Sequence, residues 1–497
     1  MSELMRVGVI GAGAMGQGIV QVSLQGGMPV VLYDAKDGGA EAGRDMVIGR
    51  LDRQVEKGRL DAGEVEAMKG RLHLAADLSA LAECDAVIEA VFEDIGVKHE
   101  VFKALEAVVR DDCILASNTS SIPIASIARV LEHPGRVAGM HFFNPVPLMR
   151  LVEIIRSPAT EDWVAEKLTL LGEAMGRTPV TVKDAPGFLV NLGGRAYTTE
   201  ALHIVQEGVA TVAEVDAVMR DCGHFRMGPF ELMDLTGVDV NYPVSLIVHE
   251  QYNYDPRLRT TTMHKALFDA GRYGRKTQIG NYRYDTKGKA IDPPSPDHET
   301  DATPAEAVYV AAGAEVFDDL FAGAKILASD DGASPIVAAL FGEDCSTFAA
   351  REGIDHRRLV AIDVTGDISG RMTIMTAPGA DPAARDAVAA SLAKAGRKVT
   401  AIKDSPGFIG QRMRGMIGNL GCEMAQIDIA DPASIDLAMR LGLNYPMGPL
   451  EIIDDLGCDV AWRIMTNIQD ITGDPRYRPS LWLRRRAQLG LSAVTPN

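Results

Sequence analysis

Two residue patterns in this chain could do chemistry. The first is a histidine and a glutamate twelve residues apart, His141 in GMHFFNP and Glu153 in RLVEII. A neutral imidazole can take the proton of a hydroxyl while hydride leaves the same carbon. A carboxylate beside it stabilises the imidazolium that forms and fixes the ring tautomer. Glu153 lies in an otherwise apolar run, where a carboxylate buried without a partner is costly. Asn144-Pro145 and Val146-Pro147 supply a turn that would set the two residues side by side on adjacent strands. These residues alone fit a satisfied structural histidine equally well. The second pattern is GAGAMG, with Gly11, Gly13 and Gly16 in G-x-G-x-x-G spacing around Ala14 and Met15, and Asp34 further along. Gly11 permits a tight turn, Gly13 lets the backbone approach a pyrophosphate, and Gly16 allows helix to pack closely on strand. The N-terminus of the following helix directs free N–H groups at phosphate. Asp34 can accept the hydroxyls of an adenosine ribose and would repel a 2′-phosphate, which favours NAD over NADP.

These patterns require particular elements to position them. Arg6–Ile10 reads as a buried strand, QGIVQVSLQGG as a helix, and MPVVLYD as a second strand ending on Asp34. Further strands are expected within 84–94, 113–121, 136–145, 149–155 and 179–184, with helical stretches between most of them. The expected fold class is α/β, a Rossmann-type, mostly parallel sheet followed by an all-helical domain. His141 then falls at the C-terminal end of a strand, the edge where open α/β sheets bind ligands.

At 497 residues the chain is too long for one ordinary core; roughly 150 residues per domain suggests about three. With 46% hydrophobic and 24% charged residues it has the composition of a soluble globular protein. A net charge of −18 argues against nucleic-acid or membrane-surface partners. Six scattered cysteines form no CxxC pair or zinc spacing, which suggests reduced thiols in a cytoplasmic protein and no metal. The N-terminal MSELMRVGVIGAG lacks signal-peptide architecture, and no apolar run is long enough to span a bilayer.

Taken in order, GAGAMG, EAVFEDIGVK, SNTSS, HFFNPVPLMRLVEII, DAPGFLVN and MGPFELMD resemble the 3-hydroxyacyl-CoA dehydrogenase family, from about residue 5 to residue 285. The resemblance implies NAD-dependent oxidation of a (3S)-3-hydroxyacyl-CoA substrate to 3-oxoacyl-CoA. It makes His141 the catalytic base and Glu153 its orienting partner. It gives Ser120 a hydrogen bond to the substrate 3-oxygen and places Asn191 on the substrate carbonyl side. It adds Glu93 and Lys98 near the nicotinamide ribose, Asn118 and Asn144 to the cofactor-binding set, and Lys57 at the CoA phosphates. Arg50 stands where the family often has a CoA-contacting serine, and Arg195 is displaced from the usual position after Asn191. Both are departures from the pattern.

The remainder contains a repeat. Pro186-Gly187-Phe188 recurs as Pro406-Gly407-Phe408, and Met227-Gly228-Pro229 as Met447-Gly448-Pro449, each at an offset of 220. The expected organisation is an NAD-binding domain over 1–184, a helical domain over 185–285, a Pro-rich linker over 286–306, a degenerate α/β module over 307–400, and a second helical copy over 401–497. At the same offset His141 falls on Ala361, Glu153 on Thr373 and Asn191 on Gln411, and 307–400 has no G-x-G-x-x-G. One active site per chain is expected. In short family members the helical domains dimerise, so the copy is expected to form an internal pseudo-dimer, replacing or extending a homodimer. The long form resembles family members that act on 3-hydroxyadipyl-CoA in phenylacetate degradation, with Arg195 and Arg226 as candidate cations for the acyl tail, or else as surface residues. The alternatives are a short-chain 3-hydroxybutyryl-CoA dehydrogenase and a non-catalytic NAD-binding structural relative. A β-hydroxyacid dehydrogenase would want a GxxxNxxK-like element, and none stands out after PGFLVN.

Overall fold

The computed structural model describes residues 5–497. The first four residues, part of the stretch read above as lacking a signal peptide, lie outside the described residues. The chain forms two compact units, and these cut across the five segments expected from the sequence. One contains the chain up to Leu192 together with Asp428–Leu443, and the other contains Gly193–Ile427 and Asn444–Asn497.

The first unit is built on eight strands: β1 (Val7–Ile10), β2 (Val30–Tyr33), β3 (Leu72–Leu74), β4 (Ala86–Glu89), β5 (Ile114–Ser117), β6 (Val137–Phe142), β7 (Leu151–Arg156) and β8 (Thr178–Lys183). Their order in the sheet is β3-β2-β1-β4-β5-β6-β7-β8. The central strands VGVI, AVIE and ILAS are buried along their whole length. This is the pattern of parallel strands covered on both faces, and Val7, Val9, Ile88, Ile114, Met140 and Ile154 join one core with helix residues such as Ile19, Val20 and Leu168. The one antiparallel step is β6 to β7, and its register sets His141 directly opposite Glu153.

The second unit holds helices from both copies and a six-stranded sheet of order β10-β9-β11-β12-β13-β14. Its strands are β9 (Ala307–Ala312), β10 (Lys325–Leu327), β11 (Ile336–Ala338), β12 (Leu359–Ile362), β13 (Arg371–Thr376) and β14 (Lys398–Lys403). The step from β12 to β13 is again antiparallel, matching β6 to β7. Its register differs, however. Ala361 pairs with Met375, and the Asp363 amide donates to the Thr373 carbonyl. The expectation that Ala361 stands where His141 does is therefore corrected. Opposite Thr373 lies Asp363, because the strand pair has slipped by two residues, which keeps every side chain on its own face. Gln411 is fully buried, donates to the Leu340 carbonyl at 2.8 Å and to Asp363 at 3.1 Å, and accepts from the Gly342 amide.

In the second unit the helices of the two copies pack on one another, Arg195–Gln206 against Ile409–Gln426. Buried Arg412 donates to Glu200 at 2.7 Å, and Arg476 to Glu207 at 2.7 Å. The segments Asp255-Pro256-Arg257 and Asp474-Pro475-Arg476 meet the opposite copy, with Arg257 pairing to Glu423 and Arg259 to Asp474. The linker is irregular but tied down by Asp297, which pairs with buried Arg371 at 2.6 Å. Among the described residues no helix is long and apolar enough to cross a membrane.

Candidate active site

The nucleotide loop follows directly from the glycines. Gly11 has φ of +97°, a conformation that a side chain disfavours. A Cβ on Gly16 would lie 1.8 Å from the Gly11 carbonyl oxygen, so only glycine lets the helix Ala14–Gln25 start against β1. A Cβ on Gly13 would meet nothing within 4 Å, which leaves open space above the backbone, and no side chain caps the first turn of the helix. Asp34, just past β2, accepts from the Ala12 amide at 2.6 Å and the Lys36 amide at 2.9 Å, so its carboxylate is locked to the glycine loop. An open, uncapped helix start beside a fixed carboxylate fits the pyrophosphate and ribose of NAD.

The His141–Glu153 pair lies three strands away on the same sheet edge. His141 Nδ1 is 2.6 Å from Glu153 Oε2, and both residues are buried. The other carboxylate oxygen accepts from the Leu189 amide at 3.1 Å and the Val190 amide at 2.9 Å. Those amides are aimed by the Pro186-Gly187-Phe188 turn, where Gly187 and Phe188 have φ of +72° and +48°. Three donors thus converge on Glu153 and make it an anchored acceptor, so Nδ1 carries its proton and Nε2 is left as the basic nitrogen. Phe143 and Phe188 flank the imidazole, with ring centroids 4.5 and 5.8 Å away.

A second network lies beside the pair. Glu93 accepts from Thr119 Oγ1 at 2.6 Å and from the amides of Ser120 and Ser121 at 3.0 Å each. Burial pushes the Glu93 carboxyl up, but the hydrogen bonds from Thr119 and Ser121 and the charge of Lys98 outweigh it, leaving it below its ordinary value. Ser120 is itself exposed, and the Asn191 side chain donates to its carbonyl at 3.3 Å, so these two expected residues come together. Asn118 accepts from the Phe142 amide at 2.8 Å, which ties the end of β5 to the residue after His141.

The other expected residues differ in exposure and partners. Lys98 is 1% exposed, and its ammonium pairs with Glu89 at 2.7 Å and Glu93 at 3.4 Å. Lys98, expected near the nicotinamide ribose, is a cation held between two carboxylates, which fixes Glu93 and is not open to solvent. Lys57 is exposed at the end of the helix Gly39–Glu56, and Asn144 is exposed in the turn after β6. Arg50 donates to Gln17 on the first helix. Arg195 is buried in the second unit with Ser245 as a partner at 3.1 Å, so it is not a surface residue, whereas Arg226 is exposed.

Glu89 was missed by sequence reasoning. It is fully buried at the end of β4 and holds Lys98, Ser117 Oγ and the Val91 amide. The signal was the one that exposed Glu153, a carboxylate within an apolar strand, here with a lysine nine residues on.

Comparison with known proteins agrees with this geometry. Residues 6–185 match the 3-hydroxyacyl-CoA dehydrogenase NAD binding domain. The C-terminal domain of that family matches twice, at 187–284 and 407–494. The chain is 36% identical to the 3-hydroxyadipyl-CoA dehydrogenase of Escherichia coli K12 over 98% of each chain. The crystal structure of 3-hydroxybutyryl-CoA dehydrogenase from Escherichia coli K12 superposes with a TM-score of 0.87 at 34% identity, covering 98% of this chain and 99% of that one. The (S)-3-hydroxybutyryl-CoA dehydrogenase of Ralstonia eutropha, 35% identical, is covered completely by 57% of this chain, with a TM-score of 0.55. A fixed histidine–carboxylate pair, a built NAD loop on the same sheet edge and these matches together make the chain a member of the 3-hydroxyacyl-CoA dehydrogenase family, an oxidoreductase that oxidises 3-hydroxyacyl-CoA thioesters with NAD.

Proposed function

We propose that the chain oxidises (3S)-3-hydroxyadipyl-CoA at one site per chain, in the cytoplasm. The observation that carries the site is the His141 Nδ1–Glu153 bond, with the far oxygen of Glu153 held by two backbone amides. In this reading His141 Nε2 takes the proton of the 3-hydroxyl. Glu153 keeps Nδ1 protonated and stabilises the imidazolium. Ser120 and Asn191, joined by their own hydrogen bond, hold the 3-oxygen and the thioester side. Bound NAD supplies the hydride acceptor. Gly11, Gly13, Ala14, Met15 and Gly16 cradle its pyrophosphate and Asp34 its adenosine ribose, while Asn118, Asn144 and Glu93 line the nicotinamide side. Lys57 meets the CoA phosphates from the surface.

The dicarboxylic acyl chain is supported by likeness to the 3-hydroxyadipyl-CoA dehydrogenase along nearly all of both chains. A 3-hydroxybutyryl-CoA substrate is the second reading, favoured by the equally complete match to the crystal structure bearing that name. The ion pairs between the helical copies support an internal pseudo-dimer doing the work of a helical-domain dimer. The segments 1–184, 185–285, 286–306, 307–400 and 401–497 then describe the ancestry of the chain, and the two compact units its packing. Steady-state kinetics on adipyl, hexanoyl and butyryl thioesters separate the readings. The highest kcat/KM should fall on the adipyl thioester, and a preference for butyryl would replace it. His141→Gln should lose turnover by orders of magnitude with NAD affinity retained, and near-parental oxidation by that variant would overturn the catalytic assignment.

A further inference from the structure

The catalytically empty half of the chain sends one helix into the first unit. The chain re-enters that unit at Asp428 and leaves it at Leu443. On entry, the Ile429 carbonyl accepts from the Lys183 amide at 2.8 Å, which fixes the segment to the end of β8. The helix Pro432–Leu443 then packs on β7 and β8, with Ile435, Ala438 and Met439 fully buried. Its last turn carries Gly442. A Cβ there would lie 3.0 Å from Leu151 Cδ2 and 3.0 and 3.2 Å from the two γ-carbons of Val190. Val190 is the residue whose amide donates to Glu153 at 2.9 Å, and Leu151 is two residues before Glu153 on β7. Glycine inside a helix is less stable than alanine there. Its place here is set by space, since it is not among the residues of positive φ.

The other copy provides an internal comparison. There the exchange is mirrored, with the Lys403 amide donating to the Val209 carbonyl at 3.1 Å and the helix Val212–Asp221 packing on β13. At the 220-residue offset Gly442 corresponds to Cys222 and Leu151 to Arg371. The Cys222 side chain fills this position, its sulfur donating to the Arg371 carbonyl at 3.5 Å. That strand pair carries Asp363 and Thr373 in place of His141 and Glu153, so no catalytic carboxylate needs to be placed there.

We propose that the helix Pro432–Leu443 is a positioning element of the active site, with Gly442 seating Val190 and, through the Val190 amide, the carboxylate of Glu153. The inference rests on the His141–Glu153 reading. It gives the duplicated half a part in catalysis without any catalytic residue of its own.

Full-length Gly442→Ala, Gly442→Val, Val190→Ala and the double variant Gly442→Val/Val190→Ala test it, with melting temperatures recorded for each. Displacing an oriented base by a fraction of an ångström should lower kcat of Gly442→Val by about 10- to 100-fold. KM for NAD should stay at the parental value, because the glycine loop is untouched. The double variant should regain most of the lost kcat, since the methyls removed from Val190 leave room for those added at 442. General destabilisation would not produce that recovery. If Gly442→Val does not fold, Gly442→Ala takes its place, with a smaller loss of kcat that Val190→Ala likewise relieves. Parental kcat in Gly442→Val, or a loss that the double variant does not relieve, or a loss accompanied by a matching rise in KM for NAD, would overturn the proposal. Failure of the dyad reading is seen separately, as activity in His141→Gln.

Discussion

Glu153→Gln tests the site most sharply, because three hydrogen-bond donors converge on that one carboxylate. His141 Nδ1 occupies one oxygen at 2.6 Å, and the Leu189 and Val190 amides occupy the other at 3.1 and 2.9 Å. A glutamine of the same shape has one oxygen and one NH2 group. If its oxygen faces the two amides, its NH2 faces Nδ1 and selects the tautomer in which Nε2 carries the proton and cannot accept the substrate's. If the oxygen faces His141, two buried amides confront an NH2 group. Leaving a buried donor unmatched costs about 1–3 kcal/mol, and a hydrogen bond to a charged group is itself worth about 1.5–3 kcal/mol. At about 1.4 kcal/mol per tenfold, a sum of roughly 2.5–6 kcal/mol predicts a fall in kcat of about 10²–10⁴-fold. The loss appears in kcat and kcat/KM alike, because the imidazolium forms only in the transition state. The assay is NADH formation from a saturating 3-hydroxyacyl-CoA, with NADH affinity measured independently by fluorescence. Turnover within a factor of about two of the parent at unchanged KM would refute the orienting role of Glu153.

Gly16→Ala should raise KM for NAD by about tenfold or more, because its methyl would overlap the Gly11 carbonyl and backbone must move; an unchanged KM would show that the loop does not hold the pyrophosphate. Lys98→Met strands Glu89 in a fully buried place, so urea titration should show a loss of about 3–5 kcal/mol. The double variant Lys98→Met/Glu89→Gln should recover most of it, and equal stability of the single variant and the parent would contradict a buried pair. His264 is fully buried, and burial, with the charge of Arg195 acting in the same direction, holds its imidazole at about 4. In the unfolded chain a histidine titrates near 6.5, so between those values the unfolded state binds a proton the native state refuses. Stability is therefore complete above about pH 6.5 and falls by up to about 3 kcal/mol as pH drops toward 4. His264→Gln should flatten that part of the pH dependence of urea midpoints, and identical curves for parent and variant would remove His264 as its source.

Much of the site was legible in the sequence because its requirements are local. Gly11, Gly13 and Gly16 encode their own turn, and Asp34 closes the strand that follows, so period, spacing and backbone sterics were enough. His141 and Glu153 were also readable, since a carboxylate in an apolar strand and a proline-bearing turn of fixed length imply pairing. Glu89 carried the same signal but has its partner on a helix, where no turn length gives the pairing away. The buried state of Lys98 could not be read either. Lys98 in FEDIGVK reads as a cofactor-side contact, and its burial follows only when β4 and the helix Ile95–Glu106 bring it against Glu89.

The sequence by itself determined the class of this protein, an NAD-dependent dehydrogenase with one histidine–glutamate pair and a duplicated helical half. The class lies in ordered motifs that resemble a known family, the pair and the glycine loop in residue types and spacings of a few to a few dozen positions, and a repeat held at 220 residues needs no folding to be seen. Tertiary structure alone decided which residues hold the pair in place and where the second half meets it. The amides of Leu189 and Val190, the Lys98–Glu89 pair and the seating of Gly442 against Val190 join positions tens to hundreds of residues apart. Close packing sets such contacts, and they leave no period in the chain. The slip that puts Asp363 opposite Thr373 is of the same kind, because hydrogen bonds between strands fix register and an offset in sequence does not.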